Sequence, residues 1–224
     1  MNVILFGATG MVGQGVLREC LLDPDVQQIF SIVRTPSGQQ HLKLRELVHT
    51  NFFDYSAIEP QLAGYDTCFF SLGVSSAGMD EAKYRHLTYD LTLAAATILA
   101  RLNPQMTFLY VSGAGTDSTE HGRSMWARVK GKTENDLLKL SFRAAYMFRP
   151  GFIQPLHGIR SKTKLYQFFY SALKPILPLL KSAFPKSITT TEELGRAMIN
   201  VAKHGYPKAI LELANIVRAA STAP

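Results

Sequence analysis

Gly7-Ala8-Thr9-Gly10-Met11-Val12-Gly13 follows directly on the apolar run Asn2-Val3-Ile4-Leu5-Phe6 and precedes Val16, Leu17, Cys20 and Leu21 at helical spacing. A short buried strand, a glycine turn and a helix make a seat for a pyrophosphate. Gly7 permits the tight turn, Gly10 lets the backbone approach the phosphates, and Gly13 lets the helix lie close on the strand. Free N–H groups at the start of the helix then face the anion. The spacing is GxxGxxG rather than GxGxxG, so it is the flanking strand and helix that mark a dinucleotide site. A second strand, Gln28 to Val33, ends at Arg34-Thr35, with Ser37 nearby and no carboxylate at the tip. A carboxylate there accepts from the 2′-OH of NAD, whereas a cation accommodates the 2′-phosphate of NADP. Arg34 and Thr35 therefore favour NADP(H) over NAD; the alternative is that Arg34 is an ordinary solvated loop charge. Asp54 has two readings left open, an acceptor for the adenine amino group and a helix N-cap.

The elements that position these residues alternate along the chain. Residues 41–48 do not settle on one period. A short helix spans about Ser56 to Leu62, and the strand Thr67 to Leu72 closes on Gly73 and the small-residue loop Gly73-Val74-Ser75-Ser76-Ala77-Gly78, where ligands sit in doubly wound folds. Asp80 to Leu102 reads as one long helix with Tyr84, Leu87, Leu91, Ala94, Ala95, Ile98 and Leu102 on its core face. The strand Met106 to Val111 delivers Ser112-Gly113-Ala114-Gly115, and a helix ending near Leu140 carries Trp126 and Lys130. A strand at Ala145–Phe148, a short strand at Ser187–Thr190, a helix from Thr191 through Val201, a strand at Ile210–Leu213 and a frayed tail from Ala219 complete the pattern. The fold class is α/β, a doubly wound parallel sheet (Rossmann fold) with a small C-terminal substrate-side extension.

The order of motifs resembles the short-chain dehydrogenase/reductase superfamily, and in detail its atypical, epimerase-like members of the Tat-interacting-protein oxidoreductase type. The matching stretches are GATGMVG at residues 7–13, Arg34, Asp54, Ser71-Leu72-Gly73, VSGAG at 111–115, VKGKTE at 129–134 and Phe148-Arg149-Pro150-Gly151. The resemblance implies that Leu72, Gly73 and Pro150 lie along the cofactor, with backbone near Phe152 and Ile153 meeting the nicotinamide carboxamide and Arg149 structural. It implies that Ser112 fixes a substrate carbonyl and that Lys130 holds the nicotinamide ribose. The family places a proton-shuttling Tyr four residues before the Lys, and here that position is Trp126. An indole N–H donates a hydrogen bond but does not titrate usefully, so Trp126 can hold an oxygen and cannot shuttle a proton. Three accounts remain. Ser124, His121 or Tyr89 supplies the proton, the reaction has less need of one, or the protein binds cofactor without turnover.

At 224 residues the chain suits one core, read as a single cofactor-binding unit over 1–224 with a substrate-side lid at 151–190. Cys20 and Cys68 lie in apolar stretches with no metal-ligand spacing, so they read as reduced core residues and no metal is expected. The net charge of +7 is uneven: residues 1–112 carry 7 Lys+Arg against 10 Asp+Glu, and residues 113–224 carry 17 against 7. That basic half suits an anionic or mixed small-molecule substrate or a solvated face, and no nucleic-acid module accompanies it. Leu165 to Leu180 is apolar and broken by Pro175 and Pro178. It reads as a roof over the site or a homodimer face ahead of a surface that touches membrane. Phe168 and Phe169 within it, with Phe152 and Leu156, would give a substrate pocket an apolar lining. With no cleavable signal pattern and no bilayer-length apolar run, the expected location is the cytoplasm. Two functions stand: an NADP(H)-dependent oxidoreductase acting on a small carbonyl, alcohol or sugar-like substrate, and an NADP(H)-sensing regulatory or partner-binding protein.

Overall fold

Val3, Ile4, Leu5 and Phe6 are wholly shielded from solvent, as a strand covered on both faces requires. In the computed structural model, which describes residues 1–159 and 188–221, they belong to β1 (Asn2–Phe6). The other strands are β2 (Gln28–Val33), β3 (Leu44–Val48), β4 (Thr67–Phe70), β5 (Thr107–Val111), β6 (Ala144–Arg149), β7 (Phe152–Gln154), β8 (Ile188–Thr190) and β9 (Ile210–Glu212). Seven of them form one parallel sheet in the order β3-β2-β1-β4-β5-β6-β9. The chain runs outward from β1 to β3, returns past β1 to β4 and continues to the far edge. The doubly wound Rossmann architecture expected from the sequence is thus the one observed. β7 and β8 pair with each other in a separate two-stranded sheet.

Alternation along β1 divides the interior. Val3 and Leu5 join a core with Val16, Leu17, Leu194 and Met198, and Ile4 and Phe6 join a core with Phe70, Leu99 and Phe108. The first core is covered by α1 (Met11–Leu22) and by two C-terminal helices introduced below. On the other face the chain between β4 and β5 forms α2 (Glu81–Arg85), a π turn at His86–Asp90 and α3 (Leu91–Leu102). The helix after β5 is α4 (Met125–Leu137), and α5 (Thr191–His204) and α6 (Leu213–Ser221) follow β8 and β9.

Three sequence expectations change. The segment 41–48 resolves as strand β3 from Leu44, and its position at the sheet edge, half in solvent, explains its unclear period. The helix expected without interruption from Asp80 contains a π turn, whose extra residue rotates the buried face one position on. Beyond Tyr84 the fully buried positions are therefore Thr88, Thr92, Ala95, Ala96 and Leu99, while the expected Leu91, Ala94, Ile98 and Leu102 pack partly buried against the same core. Ala219 is buried within α6 and is not part of a frayed tail. The stretch Leu165–Leu180, with Phe168 and Phe169, and most of the expected lid lie outside the described residues.

Closure of β1 onto α1 depends on a missing side chain. A Cβ on Gly13 would stand 2.0 Å from the Gly7 carbonyl oxygen and 2.5 Å from its carbon, backbone atoms that cannot step aside. Gly13→Ala is expected to lower unfolding free energy by at least the ~1–3 kcal/mol typical of overpacked cores. Gly73, with nothing within 4 Å of its own added Cβ, provides the control: Gly73→Ala should leave the urea midpoint within error of wild type.

Candidate functional site

A groove of about 840 Å³ opens at the C-terminal edge of the sheet, where β1 and β4 part. Gly7, Thr9, Gly10, Met11 and Val12 line it, while Ala8 and Gly13 lie buried beneath. Gly7 has φ +85°, and a Cβ there would fall 2.7 Å from Leu72 N, so the tips of β1 and β4 meet only over a glycine. The Ser71 hydroxyl ties the same tips by donating to the Phe6 carbonyl at 2.9 Å. Gly10 caps α1 without a side-chain bond, and the first turn carries no acidic residue. The free N–H groups of that turn face the groove as a seat for an anion.

Arg34 and Thr35 line the groove at the tip of β2, and Leu72 and Gly73 at the tip of β4. Arg34 is exposed and makes no hydrogen bond or ion pair among the described residues. Asp54 stands outside the lining, and its Oδ1 accepts from Ser56 N–H at 2.9 Å. That bond, with the Ser56 hydroxyl, holds its carboxyl below the usual carboxylate range. The N-cap of the short helix at Ser56–Gln61 is Tyr55, which makes no side-chain cap, so Asp54 closes a turn just ahead of the helix and is not its N-cap. The groove wall beside it is Phe52, an aromatic the sequence did not single out.

At the other end the groove meets Val111, Ser112, Gly113, Lys130, Pro150, Phe152 and Ile153. The Ser112 hydroxyl points inward, donating to Glu134, with the Phe148 carbonyl also within reach at 3.1 Å. Glu134 is fully buried and paired with Arg149, whose guanidinium also reaches Ser118 and Glu212. Sequence reading had Arg149 as structural but missed Glu134; the usable signal was its position four residues past Lys130, on a helix turn shared with buried Thr133 and Leu137. Lys130 is half-buried and donates to the Ser112 carbonyl. Desolvation lowers its ammonium to about 8, with Glu134 pulling the other way.

Trp126 lies one helical turn before Lys130 but outside the groove lining; its ring lies over Gly115, where an added Cβ would stand 3.3 Å from the indole. None of the three alternative proton sources lines the groove either. The Tyr89 hydroxyl donates to Asp136 at 2.8 Å, and burial together with that bond raises the phenol. His121 and Ser124 are exposed. Among the groove-lining described residues only Arg34 and Lys130 carry charge, and both are cations.

Two stability measurements test this arrangement. Removing one partner of the buried pair, by Glu134→Leu or Arg149→Met, is expected to cost about 3–5 kcal/mol in chemical denaturation, because the other charge is left buried and alone. Lys130 adds a pH dependence. The native protein releases this proton near pH 8 and the unfolded chain near 10.5, so between those values the unfolded state holds more protons and stability rises with pH. Below pH 8 both states are protonated and the full penalty applies. Burial pushes the Cys20 and Cys68 thiols up and opposes the trend above their ordinary value of 9.0. The readout is therefore the difference from Lys130→Met, on which wild type should gain steadily from pH 8 to 10.5.

No family model matches the chain. Solved structures share its fold at low identity. UDP-N-acetylglucosamine 4-epimerase from Methanobrevibacter ruminantium, in complex with UDP-N-acetylmuramic acid, aligns with a TM-score of 0.70 at 13% identity over 94% of this chain and 75% of its own. A short-chain dehydrogenase/reductase family oxidoreductase from Burkholderia thailandensis gives 0.67 at 13% identity over 97% and 92%. The Bordetella bronchiseptica enzyme WbmF in complex with NAD+ gives 0.66 at 16% identity over 98% and 76%. The chain thus shares the doubly wound Rossmann fold of these short-chain dehydrogenase/reductase and epimerase structures, the fold that the motif order implied. Curated relatives are closer in sequence. The mitochondrial protein fmp52 of Emericella nidulans is 30% identical over 210 residues, 89% of this chain and 86% of the relative. FMP52-2 of Scheffersomyces stipitis is 25% identical over 97% of this chain and 94% of its own, and FMP52 of Saccharomyces cerevisiae 27% identical over 73% and 69%. All three are named mitochondrial, which overturns the expectation of a cytoplasmic location; the absence of a cleavable signal pattern was the wrong guide. On this likeness, spread over nearly all of both sequences, the chain belongs to the Fmp52 family.

Proposed function

We propose that this protein binds NADP(H) in the groove at the β1–β4 switch point and works as an oxidoreductase on a small carbonyl, alcohol or sugar-like substrate. One observation carries the reading: an uncapped helix start and an unpaired Arg34 stand on the walls of one groove of dinucleotide size, with no carboxylate in its lining among the described residues. The residues fit the cofactor. The turn from Gly7 to Val12 would take the pyrophosphate, Arg34 and Thr35 the 2′-phosphate, Phe52 the adenine side, and Lys130 the nicotinamide ribose, with Leu72, Gly73, Pro150, Phe152 and Ile153 flanking the rings. When bound, the cofactor supplies or accepts hydride. The chain's own part is to hold the reacting carbonyl near Ser112 and Lys130, to keep water from the apolar wall at Phe152, and to hold a proton on Lys130 Nζ. Trp126, in the family's Tyr position, contributes a hydrogen-bond donor at most. The named relatives support a mitochondrial setting, and residues 151–190 are the proposed substrate-side cover, in one unit with the rest of the chain. A small-molecule partner and a homodimer suit this reading better than nucleic acid or membrane.

Trp126 also favours a second reading, a protein that senses NADP(H) without turning a substrate over. Calorimetric titration with NADPH and NADH, on wild type and Arg34→Ala, tests what the two share. NADPH is expected to bind at least ~10-fold more tightly than NADH, the scale of one lost charge-assisted contact, with that preference lost in Arg34→Ala. Absence of binding by either dinucleotide at micromolar protein sinks both readings. Turnover across a panel of aldehydes, ketones and quinones then separates them.

A further inference from the structure

Arg34 stands on an exposed turn, and a guanidinium reads a phosphate well only if its backbone is held. From Arg34 to Leu42 every residue is exposed except Ser37. Among the described residues, one hydrogen bond ties the segment 34–40 to the strands beneath: Ser37 N–H donates to Glu46 Oε1 at 2.9 Å. Glu46 comes from β3, the edge strand, in register with Ser31 of β2. Its other oxygen, Oε2, is buried and has no hydrogen-bond partner. A half-satisfied carboxylate is an unfavourable choice for such a position, and the one bond it makes is to this turn.

We infer that Glu46 is a positioning residue for cofactor choice: by pinning Ser37 it fixes the Arg34–Ser37 turn in the form that takes a 2′-phosphate. The inference rests on the NADP(H) reading above and goes beyond it, since Glu46 does not line the groove and acts through Arg34. The pin needs an acceptor at Oε1 and does not need the charge. A glutamine therefore serves as well, and it also removes a negative charge from beneath an anion-reading turn.

The experiment is calorimetric titration of NADPH and NADH into wild type, Glu46→Ala, Glu46→Gln, Ser37→Pro, Arg34→Ala and the double variant Arg34→Ala/Glu46→Ala. Loss of one such bond predicts that Glu46→Ala weakens NADPH about five- to tenfold and leaves NADH within about twofold. Ser37→Pro, which removes the donor, should do the same. Glu46→Gln should restore the NADPH preference to the wild-type value or above. The double variant should lose no more than Arg34→Ala alone, because the two residues act in series. Equal weakening of both dinucleotides by Glu46→Ala marks a merely structural role and overturns the inference. So does an unchanged NADPH affinity, or an effect that persists undiminished without Arg34. If wild type shows no NADPH preference for Arg34→Ala to remove, the NADP(H) reading fails and the inference falls with it. If Arg34→Ala abolishes the preference while Glu46→Ala leaves it, the inference alone fails.

Discussion

Burying a carboxylate with no exposed surface is costly unless a fixed cation is paired with it, and Glu134 has one in Arg149. That pair joins elements far apart in sequence. Glu134 is on α4, Arg149 ends β6, Ser112 at the tip of β5 donates to the carboxylate, and the guanidinium also reaches Ser118 and Glu212. The far wall of the groove, from Ser112 through Pro150 to Phe152, is built directly on this junction. Lys130 sits one helical turn before Glu134 and donates to the Ser112 carbonyl, so its ammonium is held by the same assembly. The consequence for the lysine is electrostatic: Glu134 is already matched by Arg149, and desolvation of Lys130 prevails over attraction to Glu134.

The opposite end of the groove is set by sterics. Gly7 and Gly13 let β1, β4 and α1 approach to distances a Cβ would forbid, and the first turn of α1 then points its N–H groups outward without a side-chain cap. Helix start, Arg34 and Lys130 together make a groove with positive potential at each end. This sharpens the meaning of the sequence's uneven charge. The excess of cations lies in the second half of the chain, yet of that half's cations among the described residues only Lys130 enters the groove.

How far each feature could be read from sequence follows from how local its cause is. β1, the glycine turn and α1 are contiguous, and fully buried parallel strands announce themselves as unbroken apolar runs, so they and the tip residue Arg34 were legible. The π turn at His86–Asp90 was not, because inserting one residue into a helical ladder leaves every propensity intact and changes only the facing. β3 was ambiguous because an edge strand is buried on neither a clean face nor both. Glu134 and Glu46 were missed for a common reason. Each carboxylate is defined by a partner in another element, Arg149 at 15 residues' distance and Ser37 at 9; the helical spacing of Glu134 marks its face but not that partner, and nothing beside Glu46 marks it. Phe52 was passed over for Asp54 because an acid at a pocket edge suggests recognition, whereas here its carboxylate is spent on Ser56.

Trp126 places the sharpest limit on the chemistry. Its ring rests on Gly115, whose φ of +84° and missing side chain leave room for an indole, so this end of α4 is built around the tryptophan. A phenol at the same place would fill less of that space. Carbonyl reduction needs a proton at the nascent alkoxide, and an indole that lies over Gly115, outside the groove lining, has no titrating group to give one. Among the described groove residues Lys130, which donates to the Ser112 carbonyl, has its ammonium lowered to about 8 by desolvation. A protein that only sensed cofactor would use the glycine turn, Arg34 and the hold of Lys130 on the nicotinamide ribose just as an enzyme would. What distinguishes an enzyme on this scaffold is a proton route that does not pass through Trp126, whose indole has no titrating group to offer.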